Sequence, residues 1–168
     1  MNNKKHPFIF TFNVLLFFVL IILQYTDKTI ISISGVSPVL LLPLLTAFSI
    51  FHSPLASALV GLLAGIFMDS CAIGSYCFNA IVLFLLGAAV SLAASNLFNK
   101  NIGSAAVLSL LCCGVYHISQ WAVFQTFGKQ FSDCLLYLLK FALPSALFSA
   151  LFIFPFYFLY KYFNKITS

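Results

Sequence analysis

Ser57-Ala-Leu-Val-Gly61-Leu-Leu-Ala-Gly65-Ile-Phe-Met-Asp69 places a small residue at every fourth position and closes the series on a carboxylate. Positions i and i+4 share a helix face, so Ser57, Gly61, Gly65 and Asp69 form one column. In an apolar helix such a column lets a neighbouring backbone approach closely, GxxxG being the known form. The spacing therefore predicts a packing seam that ends on Asp69, one of three acids in the chain. Asp69 is then a polar stop at the membrane surface, a ligand-binding carboxylate, or an acceptor for donors close by. Backbone N–H groups at the start of the following helix and the amide of Asn79 are such donors. In the last reading the acid fixes the Ser70–Tyr76 connection and the helix after it, a structural role.

Outward from this stretch, composition sets the class. The chain is 62% hydrophobic and 7% charged, with a mean hydropathy of +1.10. A soluble domain carries about 25% charged residues, so this chain cannot clothe a water-facing surface and reads as an all-α integral membrane protein. All eight basic residues are Lys, and neither Arg nor Glu occurs. Reading of nucleic acid leans on bidentate Arg, so the net charge of +5 is better assigned to membrane topology and contact with the lipid bilayer. Five Cys without a C-x-x-C pair give neither a disulfide framework nor a zinc site. No metal or cofactor is expected. Cys71, Cys77 and Cys134 are placed near one face, but their spacing alone does not support a bond.

The apolar pattern divides residues 1–168 into a single transmembrane domain of six helices, approximately 8–24, 38–51, 55–68, 77–97, 103–127 and 135–160. The first follows Lys4, Lys5 and His6 and is read as uncleaved, because it ends in Gln24-Tyr-Thr-Asp27-Lys28 without a small-x-small site. Lacking Gly and Ala, it is placed at the outside of the bundle. The second and third are short, and two short spans joined by a tight turn or a kinked or re-entrant hairpin fit them equally well, with Pro54 in a first turn. Pro43 would free the carbonyl of Val39 and kink the second. In the sixth, Pro144 and Pro155 remove the bonds to the carbonyls of Lys140 and Leu151. Gly87, Ser91 and Ser95 make a second small column, expected to face the first. Ala142, Ala146 and Ala150 make a third.

In the fifth segment Cys113, His117 and Gln120 or Trp121 share a face. An ionisable side chain inside a membrane is a candidate site, which makes His117, Gln120 and Lys140 an intramembrane polar group to locate. A neutral His bonded to a neighbouring helix is the commoner arrangement, since no carboxylate stands at helical spacing from it. The lysines orient the chain. Six crossings put Lys4, Lys5, Lys100, Lys161 and Lys165 on one side, and Lys28, Lys129 and all three acids (Asp27, Asp69, Asp133) on the other. The positive-inside rule then makes both termini cytoplasmic in a multi-pass cell-membrane protein.

Pro38 opening an apolar helix, Gly61 and Gly65 leading into Asp69, a connection containing Gly74, and Asn79-Ala80-Ile81 opening the next helix resemble the MreD family. Those are small membrane proteins of the bacterial rod-shape complex, or elongasome. The resemblance covers nearly the whole chain, with its core from Pro38 to Ser95. Two positions depart from the family's pattern: Val39 stands where an acidic or polar residue is frequent, and Cys77 where Gly is frequent. The resemblance implies a non-enzymatic scaffold. It would bind MreC, with MreB, RodA and a class B penicillin-binding protein as complex members, and support side-wall peptidoglycan synthesis and cell shape. It also implies a bundle like that of the S component, the substrate-binding subunit of energy-coupling-factor vitamin importers. Pro38, Asp69, Gly74 and Asn79 are the positions it marks as structural or partner-facing.

That S component is itself the alternative function, since fold does not decide between the two. Its usual AxxxA docking seam on the first helix is missing from Phe8-Ile-Phe-Thr-Phe-Asn-Val-Leu-Leu-Phe-Phe-Val-Leu-Ile-Ile. A proton-coupled transporter would need paired buried ionisable groups, and only His117 and Lys140 come into question. No catalytic triad spacing or phosphate loop occurs in the sequence.

Overall fold

The computed structural model describes residues 15–20, 22, 39–71, 77–96, 101–124 and 143–167. Among these the chain is helical throughout, without strands: α1 Leu41–Phe51, α2 Pro54–Cys71, α3 Phe78–Asn96, α4 Ile102–Phe124, α5 Leu143–Leu151 and α6 Ile153–Thr167. Residues 15–20 are helical as well. Pro38, Gly74, Lys140 and Ala142 lie outside the described residues, as do most of the expected first helix and residues 135–142 of the sixth.

Three of the described prolines lie where helices begin: Pro54 is the first residue of α2, and Pro43 and Pro155 are the third of α1 and α6, while Lys140, whose carbonyl Pro144 would leave without its bond, lies outside the described residues. In a first turn the backbone N–H has no intrahelical partner, so proline loses nothing there. This corrects the expected kink at Pro43. The helix starts at Leu41 rather than residue 38, and the Val39 carbonyl accepts the N–H of Leu42 at 3.2 Å. Pro155 acts more strongly than a kink. The helix stops at Leu151, tightens through a bond from Phe152 N–H to the Ser149 carbonyl (3.1 Å), and restarts at Ile153.

Four apolar stretches are long enough to cross a membrane: Pro54–Cys71, Phe78–Asn96, Ile102–Val123 and Leu143–Tyr162, the last running through α5 and α6. Their outward faces carry large apolar side chains such as Leu55, Leu63, Ile81, Leu111 and Leu147. Exposed apolar surface on every crossing helix suits hydrocarbon as the solvent. The protein is a membrane protein by this architecture.

The centre of the bundle is α1. Every residue from Leu40 to Ile50 is buried, and α2, α3, α4, α5 and α6 all pack on it. At eleven residues it is about 16 Å long, short of the roughly 30 Å hydrocarbon core. A helix apolar all round belongs inside, and this one is held at both ends. Its entrance is tied to α5 by Val39 N–H on Ser149 Oγ at 2.8 Å. At its exit the Ser91 hydroxyl of α3 donates to the His52 carbonyl at 2.7 Å. His52 Nδ1 donates to the Phe48 carbonyl at 2.9 Å, and the ring stacks on Phe48 at 3.9 Å. Phe51 meets Tyr157 at 5.6 Å and Phe48 meets Tyr160 at 5.9 Å, so α1 runs alongside α5 and α6 in the same direction. The stretch around residues 15–22 reaches the core from outside: Phe17 packs edge-on to Phe48 at 6.3 Å, and Phe18 packs on Phe67 of α2 at 6.0 Å.

Candidate functional site: a hairpin capped by a carboxylate

α2 and α3 form an antiparallel hairpin whose backbones touch. A Cβ on Gly61 would fall on the Leu83 carbonyl, and one on Gly87 would fall on the Ser57 carbonyl. A Cβ on Gly65 would fall on the Ala80 Cα, 2.5 Å from the Asn79 oxygen and 2.6 Å from the Ala80 nitrogen. These positions belong to glycine because the facing atoms are main chain, which cannot rotate away. Ser57 completes the column and is buried, with its hydroxyl making no hydrogen bond.

The second column meets the first only in part. Gly87 lies in the seam, and Ser91 reaches past the end of α2 to the His52 carbonyl. Ser95 is exposed and donates to Leu92 of its own helix at 3.0 Å. α2 begins at Pro54, so nothing of it remains opposite Ser95. Of the alanine column, Ala146 and Ala150 are buried on α5, which packs on α4.

Asp69 stands in the last turn of α2, half-buried, at the far end of the glycine column. Its Oδ1 accepts the backbone N–H of Asn79 at 3.2 Å and the Asn79 side-chain amide at 2.9 Å. Its Oδ2 accepts the N–H of Ala80 at 2.9 Å. α3 starts at Phe78, so Asn79 and Ala80 carry N–H groups of its first turn, which have no partner within the helix. A helix normally meets this need with a side chain just before its own start. Here Cys77 stands there, and the carboxylate is lent by the neighbouring helix. The negative group also sits at the positive end of the α3 dipole.

Tyr116 of α4 extends the network. Its buried hydroxyl donates to Asn79 Oδ1 at 2.6 Å. The Asn79 amide thus gives to Asp69 and accepts from Tyr116, linking α2, α3 and α4 at one level. Tyr116 was not among the residues singled out from the sequence. The signal was present, because a phenolic hydroxyl inside an apolar helix requires a partner.

Cys77 adopts φ 60°. The left-handed region costs a non-glycine residue roughly 1–2 kcal/mol. Glycine, frequent at this position in the family the sequence resembles, adopts it freely. Cys77→Gly is therefore expected to raise stability by about 0.5–1 kcal/mol, allowing for glycine's greater chain entropy. A thermal melt of the purified variant in detergent checks this; an unchanged or lowered Tm contradicts it.

His117 is buried one residue beyond Tyr116, ring against ring at 5.5 Å, and its Nε2 makes no hydrogen bond. Cys113 is buried one turn before it and Trp121 is half-buried one turn after. Gln120 is exposed, so it leaves the face proposed for it. Among the described residues no three His, Cys, Asp or Glu side chains are grouped to hold a metal ion. What the geometry supplies is a rigid corner: two helices in main-chain contact, an acid closing the end of the second, and a third helix fastened to that closure. Comparison with protein families, curated proteins and solved structures returns no match to the chain.

Proposed function

We propose that the chain is a non-catalytic scaffold subunit of the MreD kind, binding MreC in the cell membrane within the rod-shape complex. The observation that carries this reading is the use made of Asp69. The only acid among the described residues closes a helix end rather than facing a reacting group. It does so at the end of the glycine column and against the Asn79-Ala80 pair that carry the resemblance. A shape fixed this firmly is suited to being read by a partner. MreB, RodA and a class B penicillin-binding protein are the further members of the complex this reading implies.

The same reading places six spans in the membrane with both termini cytoplasmic, and the Asp69 end of the hairpin outside. Cysteine-accessibility labelling is expected to find Asn2 and Ser168 reachable from the cytoplasm and Lys129 from the outside. Labelling of Lys129 only from the cytoplasm would reverse the orientation. Affinity purification of the tagged full chain from membranes is expected to recover MreC. Recovery of an importer's coupling ATPase in its place would favour the substrate-binding subunit and overturn the scaffold.

A further inference from the structure

α6 outlasts the helix it packs on. α1 ends at Phe51, which lies level with Tyr157 of α6, ring to ring at 5.6 Å, and one turn on Tyr160 meets the His52 ring at 6.3 Å. α6 continues to Thr167. Ile153, Tyr157, Lys161 and Lys165 follow one another at four-residue spacing and so share one face of it. Ile153 and Tyr157 are 0% and 1% exposed, whereas Lys161 is exposed. The bundle-facing stripe thus changes within one turn from apolar and covered to basic and open, where α1 has stopped. Lys161 Nζ stands 6.0 Å from the Tyr157 ring centroid, which keeps the ammonium on the side of α6 that α1 has vacated.

Depth and charge say what occupies this notch. The apolar stretch of the span closes at Tyr162, and residues 163–167 carry the helix about 7 Å further. The headgroup layer on each side of the hydrocarbon core is roughly 5–8 Å deep, so the overhang of α6 crosses that layer. Its lysines have no carboxylate close by. No Asp or Glu follows Asp133 in the sequence, and Asp69 stands at the far end of α2, which leads away from the end of α1. Phe154 and Phe158 of the same helix are exposed to the hydrocarbon below.

We propose that the notch between the end of α1 and the overhanging end of α6 seats the headgroup phosphate of an anionic phospholipid, with Lys161 and Lys165 as its cationic partners. A zwitterionic headgroup brings its own cation and gains less from the two lysines. Each lysine near an anionic surface contributes about fivefold in affinity. This inference does not rest on the scaffold reading, because it needs no protein partner.

The test uses the full chain purified in a neutral detergent, with phosphatidylglycerol and phosphatidylcholine of the same acyl chains as probes in native mass spectrometry. The wild type is expected to retain phosphatidylglycerol in preference to phosphatidylcholine. Lys161→Gln and Lys165→Gln should each reduce that preference about fivefold, and the pair together by the product. Lys161→Arg with Lys165→Arg should keep it, as should Lys28→Gln with Lys129→Gln, two lysines expected on the opposite side. The apparent Tm is expected to be higher in phosphatidylglycerol than in phosphatidylcholine nanodiscs, a gain lost in the Lys161→Gln, Lys165→Gln pair. Equal retention of the two lipids by the wild type, a preference kept by the Gln pair, or one lost equally from the Lys28 and Lys129 variant would each overturn the proposal. So would an equal gain in Tm from inorganic phosphate alone, which would make the notch a site for any anion and not for a lipid.

Discussion

Gly65→Leu is expected to prevent accumulation of folded protein, and Gly65→Ala alone to destabilise it by about 1–3 kcal/mol, the usual range for overpacking. The position a methyl would take is already held by the Ala80 Cα, with the Asn79 oxygen and Ala80 nitrogen close behind. Those atoms belong to a helix, so relief requires moving α3 as a body. Moving it also withdraws Asn79 and Ala80 from Asp69, one turn further along. Gly61→Ala meets the Leu83 carbonyl and should fall in the same class. Gly114 supplies the control, since a Cβ there meets nothing within 4 Å. Its Ala variant should match wild type in yield and apparent Tm, measured by size exclusion and thermal melt in one detergent. Equal stability of Gly65→Ala and Gly114→Ala would remove the close-packed seam from the account.

Asp69→Leu should be the more damaging change to the corner, and Asp69→Asn the milder. Leucine removes both acceptor oxygens and leaves the N–H groups of Asn79 and Ala80 and the Asn79 amide without them. An unpaired donor withdrawn from water costs about 1–3 kcal/mol. Asparagine keeps one oxygen and the shape, but loses the charge at the start of α3 and presents an amine where a second acceptor stood. Two readouts separate stability from recognition: abundance in the membrane with apparent Tm, and recovery of MreC by the tagged chain. The expected order for both is wild type, Asn, Leu. Normal abundance together with normal MreC recovery for Asp69→Leu would reduce Asp69 to a polar stop and leave the scaffold reading without its carrying observation.

The hairpin was legible because i, i+4 spacing of small residues states a face without any knowledge of the partner. Asp69 and Asn79 could be paired as acceptor and donor for a related reason: a helix start exposes donors wherever it falls. Spacing, however, does not state where a neighbour ends. Ser95 continues a flawless column yet is exposed, because α2 begins only at Pro54 and does not reach opposite it. Pro43 was misjudged as an interruption because apolar runs blur helix starts; a proline in the third position of a helix and one in its middle look alike inside an apolar segment. α1 was the least legible. A helix apolar on every side offers no periodicity to orient it, and only the surrounding helices reveal it as the centre. Tyr116 was hidden for the opposite reason, as a single polar atom whose partner stands 37 positions away in the chain.

The central position of α1 also governs how this protein comes into being. A segment that covers about half the hydrocarbon thickness cannot be installed as an independent span and then wait for company. The helices packed on it, α2 to α6, all follow it in the sequence, with Ser149 at one end and Ser91 at the other. A truncation that removes α5 and α6 is therefore expected to damage the middle of the bundle rather than its edge.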